Sequence, residues 1–416
     1  MKYYKIAWVL LLTALLSSCR EENPSVFNPQ DEDVLTSWDD VFESFWNGMN
    51  YSYAFWDVDP TDWDEVYREY KPRFKDLEFK NSQDSATVKA LFTEMTENLV
   101  DHHYILTLLL PPDEKEKKGW ASIQPELQEI GKRAYYHKRY FETDIVKTIE
   151  ANGKKGRINM KDLKYAFVYD EEGEFVMGIY SYCIDNGIVY LRLSAFSITD
   201  NLENTKVQET YQNFFNLIET VPDLKGIVID TRSNGGGSLD DLFFILSPLI
   251  SKEITFGYTR SKNGMGRLDY TPWSPMTLYP ANRSGNEYAS YITELQIKRN
   301  IENIPIVALA DLYSISMAEI TPMAICALPN GCLIGERTWG GHGPLNDNFN
   351  DSYAGTFEND AFRVQTSTSE TKNMDGTIYE GFGLTPDIEA LYNETEFLNG
   401  NDMQLERAIQ YINTGK

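Results

Sequence analysis

Hydrophobic residues recur at helical spacing in the first part of the chain. Phe42, Phe45 and Met49 form one such stripe, and equivalent stripes occur within residues 63–70 and 88–99. Residues three or four positions apart share one face of a helix, so the pattern predicts three amphipathic helices. Stripes of this kind favour a packed core over a cofactor-binding surface.

An apolar run follows these helices and ends at two prolines. Together the helices and this run define a predicted N-terminal helical domain at residues 34–112. Residues 113–160 are charged and then weakly patterned, and we interpret them as a connecting region of mixed helix and loop. No glycine-hydrophobic carboxylate-binding loop is recognisable there, so no PDZ module is predicted. The remaining residues, 161–416, form the predicted core domain.

The pattern of predicted secondary structure in the core domain changes along the chain. Apolar segments at 165–169, 175–184 and 188–193 are separated by turn sequences and predict an antiparallel meander. An amphipathic helix at 201–220 then alternates with buried strands, of which 226–230 is the first. Further strands at 304–310 and 332–335 flank a predicted helix at 317–328 that Pro322 interrupts, so the sequence predicts an α/β fold with a mixed sheet.

The first residues have the layout of an export signal. Lys2 and Lys5 precede a short apolar run, and Leu16-Ser17-Ser18-Cys19 resembles a bacterial lipobox. We therefore predict a signal peptide at 1–18, a lipid anchor on Cys19 that attaches the protein to the membrane, and a flexible linker at 19–33. The acidic pair that follows the cysteine resembles the surface-export signal of Bacteroidetes-type lipoproteins, which implies the outer membrane of a bacterial cell envelope. The alternative is an ordinary signal peptide with an incidental cysteine.

Charge and composition exclude several classes of function. The formal net charge is −25, and its spread along the chain disfavours nucleic acid as a partner. The glycine run at 235–237 lacks the Gly-Lys-Ser/Thr of a nucleotide-binding loop, and neither a cofactor nor a metal site is predicted. Beyond Cys19 the chain has three cysteines, which predicts buried thiols and no disulfide framework.

Two serines lie where a buried strand meets a helix. Ser314 and Ser316 precede the helix at 317–328, where free backbone N–H groups and the helix dipole favour negative charge. That position suits a nucleophile, but spacing alone favours a helix cap for either serine. The flanking glycines of a G-x-S-x-G elbow are missing, which disfavours an α/β-hydrolase.

Four blocks of sequence together resemble the tail-specific (C-terminal-processing) protease family, which includes the tricorn core. They occur in family order, with a strand and Asp-x-Arg-x-Asn-x-Gly-Gly at 226–237, the nucleophile block at 305–319, Ile-Gly-Glu-x-Thr-x-Gly at 334–341, and Glu-Gly-x-Gly-x-x-Pro-Asp at 379–387. The resemblance implies a mixed-sheet ClpP/crotonase-like core and a serine peptidase that cleaves peptides or unfolded protein segments through an acyl-enzyme.

The resemblance also implies roles for individual residues. The family's nucleophile corresponds to Ser316 and its oxyanion donors to the N–H groups of Met317 and of Gly236 or Gly237. Glu380 matches the glutamate of the tricorn-type catalytic tetrad.

The family's general base has no counterpart at either of its usual positions. Gly341 stands where the processing branch has lysine, and Arg192 stands where the tricorn branch has histidine. Arginine remains protonated and cannot accept the serine proton. His342 is the nearest substitute, the alternative being a loop histidine without catalytic function. His102 and His103 resemble a family loop and are interpreted as structural. Because the general base is missing, the alternative function of a peptide-binding pseudoprotease with the same fold stays open.

Overall fold

The structure is a computed structural model that describes residue 30 and residues 33–112, 119–283, 289–345 and 352–416. The predicted signal peptide, Cys19 and most of the predicted linker lie outside the described residues. Within the described ranges, no helix is both long enough and apolar enough to cross a membrane.

The three N-terminal helices form where the apolar stripes predict them, and each begins after an acidic or hydroxyl residue, the types that favour helix starts. The α-helices, in chain order, are α1 Trp38–Ser52, α2 Trp63–Phe74, α3 Ser85–Thr96, α4 Glu126–Gly131, α5 Glu142–Lys154, α6 Thr205–Thr220, α7 Leu239–Leu246, α8 Ala289–Glu294, α9 Met317–Cys326, α10 Glu394–Leu398 and α11 Met403–Thr414.

The strands, again in chain order, are β1 Ile105–Leu109, β2 Trp120–Ile123, β3 Lys164–Tyr169, β4 Phe175–Ile184, β5 Ile188–Leu193, β6 Gly226–Asp230, β7 Ile254–Ser261, β8 Ser274–Leu278, β9 Ile306–Ala310, β10 Gly331–Gly335, β11 Phe357–Glu358, β12 Phe362–Gln365, β13 Ser369–Asn373 and β14 Ile388–Glu389. They form three sheets.

The largest sheet has the strand order β14-β10-β9-β6-β5-β4-β3. Strands β3, β4 and β5 are antiparallel neighbours, whereas β5, β6, β9, β10 and β14 are parallel. The predicted mixed sheet and its antiparallel meander are therefore confirmed. Every residue of β5, β6 and β9 is buried, which matches their continuous apolar sequences.

A second sheet connects the beginning of the chain to its later part. Strand β1 pairs with β2 on one side and with β12 on the other, in the order β11-β12-β1-β2. The aromatic core of α1, α2 and α3 consequently includes Phe357, Phe362 and Val364. Residues that precede β1 are thereby held close to residues that follow β12.

Some predicted elements differ in detail. Pro322 is the sixth residue of α9, and the helix continues through it to Cys326, so the predicted interruption is wrong. The weakly patterned region at 113–160 contains β2, α4 and α5 within its described part. All three later cysteines are free, but Cys326 is exposed and corrects the expectation of buried thiols.

Candidate active site

Ser316 lies just beyond the carboxyl end of β9, at the point where α9 begins. Its backbone has φ 59° and ψ −121°, a left-handed conformation that side chains other than glycine rarely adopt. The Ser316 N–H donates to the Gly341 carbonyl at 3.0 Å and points toward the Glu319 carboxylate at 3.3 Å. Backbone strain held by such contacts is found at functional sites, and the side chain remains only partly buried.

Ser314 has a different environment. It is fully buried, its Oγ donates to the Thr231 carbonyl at 2.8 Å, and the same oxygen accepts the N–H of Asp311 at 3.0 Å. These bonds tie the turn after β9 to the end of β6. Of the two candidate serines, Ser314 therefore anchors the turn and Ser316 is the accessible one.

The glycine run packs directly against Ser316. A Cβ atom on Gly236 would lie 2.6 Å from the Ser316 Cβ and 3.1 Å from the Met317 nitrogen. The Gly236 N–H donates to the Asn234 side chain at 2.8 Å. In the described part of the chain, the N–H groups of Gly237 and Met317 have no hydrogen-bond acceptor. Met317 is the first residue of α9, where an N–H without an acceptor is expected.

Glu319 connects the turn that contains Ser316 to the loop at 338–343. Its buried carboxylate accepts the N–H groups of Gly340 and Gly341, each at 2.8 Å, and the hydroxyl of Thr338. Arg133 holds the same loop from the other side by donating to the Thr338 carbonyl at 2.6 Å. The loop that contains the lost lysine position is thus fixed against Ser316.

Glu380 is buried and binds backbone groups from two segments. It accepts the His102 N–H at 2.9 Å, and the N–H groups of His342 and Gly343, each at 2.7 Å. Burial, together with the nearby Asp101 carboxylate, raises the pKa of Glu380 well above its ordinary value. The carboxylate joins the turn before β1 to the loop after β10.

His103, which the sequence analysis interpreted as structural, lies at this same place. A Cβ atom on Gly341 would be 3.1 Å from the His103 Cε1, and Gly341 is the residue whose carbonyl accepts the Ser316 N–H. One ring nitrogen of His103 lies within 4.8 Å of a carboxylate oxygen of both Asp101 and Glu380. Burial lowers the pKa of His103, although Asp101 and Glu319 oppose the shift, so the ring is neutral near pH 7.

Asp101 fixes the backbone that presents His103. Its carboxylate accepts the His103 N–H at 2.8 Å, the Ser367 N–H at 2.7 Å and the hydroxyl groups of Ser367 and Thr366. The two hydroxyl residues follow β12, so the pairing of β1 with β12 positions the histidine.

His342 also lies near the turn that contains Ser316. Its Nε2 is 3.7 Å from a Glu319 oxygen, and both ring nitrogens are buried without a hydrogen-bond partner in the structure. Burial lowers the pKa of His342, with Glu319 opposing. No hydrogen bond joins His342 to Ser316 within the described ranges, so His342 as the base stays a prediction.

Arg192 is built into the sheet. It is completely buried on β5, and it pairs with Glu142 at 2.8 Å and with Asp230 at 3.4 Å. It also donates to the carbonyl of Arg232 at 2.9 Å. These contacts connect α5 to the end of β6 and give Arg192 a structural role.

Among the described residues, Asp101, His103 and Glu380 form a set that could also hold a metal ion, since their ligand atoms lie within 4.8 Å of one another. Both carboxylates already accept two or more backbone N–H groups. This bonding accounts for both carboxylates as supports of the loops around the candidate site.

Comparison with known families agrees with this geometry, because residues 187–390 match the model of peptidase family S41. The chain carries a peptidase family S41 domain. The match runs from β5 to β14 and includes Ser316, Gly236, Gly237 and Glu380. The match begins after His103, so the family model does not include this histidine.

The sequences of two known proteins align with part of this chain. The tricorn protease of Thermoplasma acidophilum is 26% identical over 215 residues, which is 48% of this chain and 15% of the relative. The nisin-resistance protein of Lactococcus lactis is 22% identical over 228 residues, which is 54% of this chain and 65% of the relative. The chain thus spans less than two thirds of either relative.

Solved structures share the fold over nearly the whole chain. A Parabacteroides merdae protein described as a peptidase has a TM-score of 0.60 at 21% identity and covers 91% of this chain and 97% of its own. Mature CPAF has a TM-score of 0.53 at 11% identity, with 91% of this chain and 98% of its own covered. The predicted protease fold class is confirmed.

Proposed function

We propose that this protein is a serine peptidase that cleaves peptides or unfolded protein segments through an acyl-enzyme on Ser316, with His103 as the general base. The observation that carries the proposal is the convergence of Ser316 and the His103 ring on one residue, Gly341. Membership of a peptidase family supports the reaction class.

The chemistry follows from the roles these groups can fill. His103 takes the proton of Ser316 Oγ as that oxygen bonds to the scissile carbonyl carbon. The N–H groups of Gly237 and Met317 stabilise the oxyanion, and His103 returns the proton to the departing amine. Water, activated by His103, then hydrolyses the acyl-enzyme and releases Ser316. Asp101 positions His103 by accepting its backbone N–H, and the nearby Asp101 and Glu319 carboxylates favour the charged form of the imidazole.

Labelling with a fluorophosphonate probe tests the nucleophile. The purified protein should take up the probe and digest an unfolded casein, and Ser316→Ala should lose both activities. A probe that labels Ser316→Ala as well as the unaltered protein would exclude Ser316 as the nucleophile.

Histidine variants test the identity of the base. His103→Gln should lower kcat/KM by roughly 10²- to 10⁴-fold, the usual contribution of a general base, whereas His342→Gln should cost less than tenfold. The reverse order would assign the base to His342, and equal small effects would exclude both histidines.

The alternative is a peptide-binding pseudoprotease of the same fold. It is favoured by the absence, within the described residues, of a hydrogen bond between a histidine and Ser316. Under this alternative, casein stays intact and a peptide binds Ser316→Ala as tightly as the unaltered protein.

We also propose that the mature protein begins at Cys19 and is tethered to the bacterial cell envelope by lipid. The lipobox-like sequence at 16–19 supports this anchor. Metabolic labelling with radioactive palmitate should mark the unaltered protein and not Cys19→Ala. Equal labelling of the two would overturn the anchor.

A further inference from the structure

The outer edge of the seven-stranded sheet carries an aromatic surface that the peptidase site does not use. Strand β3 is the last strand of that sheet, and among the described residues only β4 pairs with it. Tyr165 is 52% exposed and Tyr169 is 57% exposed on the same face, and Phe175 beside them on β4 is 44% exposed. Exposed aromatic patches of this kind mark interaction sites.

The aromatic side chains form a continuous row along the edge. Ring centroids are 5.7 Å apart for Tyr165 and Phe167, 6.3 Å for Phe167 and Phe175, and 5.8 Å for Tyr169 and Phe175. The opposite face of the strand is core, because Ala166 and Val168 are buried. The aromatic residues of β3 therefore cannot exchange faces with Ala166 and Val168, because a shift of one residue in the pairing of β3 with β4 would expose that core.

An open strand edge has unpaired backbone groups that another strand can bind. Sheet edges in soluble proteins are commonly protected by charges or proline along the strand. Here the aromatic face of β3 consists of two exposed tyrosines and the half-buried Phe167, and the charges lie only at Lys164, its first residue, and at Asp170, just beyond its last. The edge is thus suited to pairing and lacks charges at its centre.

We propose that a second copy of this chain binds here, with the two β3 strands paired antiparallel about a twofold axis at Phe167. In that register Tyr165 of one copy lies opposite Tyr169 of the other, so the aromatic rows form one surface. Lys164 of one copy lies opposite Asp170 of the other, twice by symmetry. This charge complementarity favours a second copy over an unrelated strand.

The dimer is independent of the proposed active site. Strand β3 lies four positions from β9 in the sheet, which places it roughly 19 Å from the strand that leads to Ser316. Peptidase activity per chain should therefore be the same in monomer and dimer.

Charge exchange tests the register. Lys164→Glu sets two pairs of like charges against each other, and so does Asp170→Lys, so each variant alone should self-associate about tenfold more weakly or not at all. An equimolar mixture of the two variants restores two opposite-charge pairs and should form a heterodimer. Sedimentation velocity at physiological salt, where the net negative charge is screened, measures both results.

Asp170 also accepts the Glu174 N–H at 2.7 Å in the turn after β3, so folding of each variant is checked by circular dichroism. Tyr169→Ser leaves that turn intact and should weaken the dimer without changing thermal stability. The proposal is overturned if the unaltered protein is a monomer at all concentrations. It is equally overturned if the protein dimerises and these variants, alone or mixed, dimerise as the unaltered protein does.

Discussion

Gly236 approaches Ser316 so closely that no side chain can be accommodated between them. Its φ of +96° is a conformation that residues with a Cβ rarely adopt, and a Cβ atom at this position would lie 2.6 Å from the Ser316 Cβ. Gly235, its neighbour, would place a Cβ with no atom within 4 Å. Position 235 therefore has room for an alanine side chain, whereas position 236 does not.

Gly236→Ala should displace the glycine loop from the nucleophile and reduce kcat at least tenfold, with KM changing less, because the oxyanion donors move. Gly235→Ala is the matched control and should leave kcat within about twofold. Steady-state kinetics on one fluorogenic peptide measures both variants. Equal kinetic effects would show that the close approach has no catalytic importance.

The acid limb of the pH profile reports on His103. A general base works only when neutral, and burial lowers the pKa of His103 below the ordinary 6.5. Activity should accordingly persist as the pH falls to 6.5 and be lost only as it falls further, through the lowered pKa. A kcat/KM profile with its acid limb centred above 6.5 would contradict this assignment.

Helix α1 and strand β11 pack together through one small residue. A Cβ on Gly48 would lie 2.1 Å from the ring of Phe357, which is completely buried and cannot move aside. The contact joins the N-terminal helices to a strand that precedes β12, and β12 holds the turn that presents His103. Packing of these elements thus supports the candidate site.

Gly48→Ala should lower the free energy of unfolding by about 1–3 kcal/mol, the usual range for overpacking a core. Gly131→Ala in α4, where a Cβ would have no atom within 4 Å, is the control and should be neutral or stabilising. Urea denaturation followed by tryptophan fluorescence measures both. The expectation fails if the two alanines have the same effect.

Elements with a regular apolar pattern could be predicted from the sequence, and others could not. Strands β5, β6 and β9 are continuous apolar runs with buried side chains, so their sequences specify them. Strand β13 has the sequence Ser-Glu-Thr-Lys-Asn, yet its first three residues are buried and it pairs with β7. Its place depends on Arg260 of β7 pairing with Glu370, a contact between distant segments that periodicity does not reveal.

The same limit applies to the site across the whole molecule. Ser316, Gly236 and Glu380 lie in sequence blocks that resemble a family, so they could be selected without a structure. His103 lies in the N-terminal segment, and it reaches Gly341 only because β1 pairs with β12 and Asp101 binds Ser367. The Asp101-His102-His103 sequence before an apolar strand was the available signal, and it carries no information about which distant residue it meets.

Glu126 gives the stability of the whole molecule a pH dependence. It is 6% exposed, its Oε2 is buried without a hydrogen-bond partner, and burial raises its pKa from 4.5 to about 8. The unfolded chain loses this proton above about pH 4.5, whereas the folded protein retains it until about pH 8. Folding stability from this group is therefore present at low pH and is lost progressively between those two values.

Glu126→Gln keeps the shape of the side chain and removes the ionisation. Relative to the unaltered protein, its free energy of unfolding should rise with pH between about 4.5 and about 8, and then stay constant at a gain on the order of a few kcal/mol. Glu209→Gln, at an exposed position of α6, is the control and should show no such rise. Urea unfolding at several pH values measures the two differences. A gain for Glu126→Gln that does not change with pH would mean that Glu126 is ionised in the folded protein.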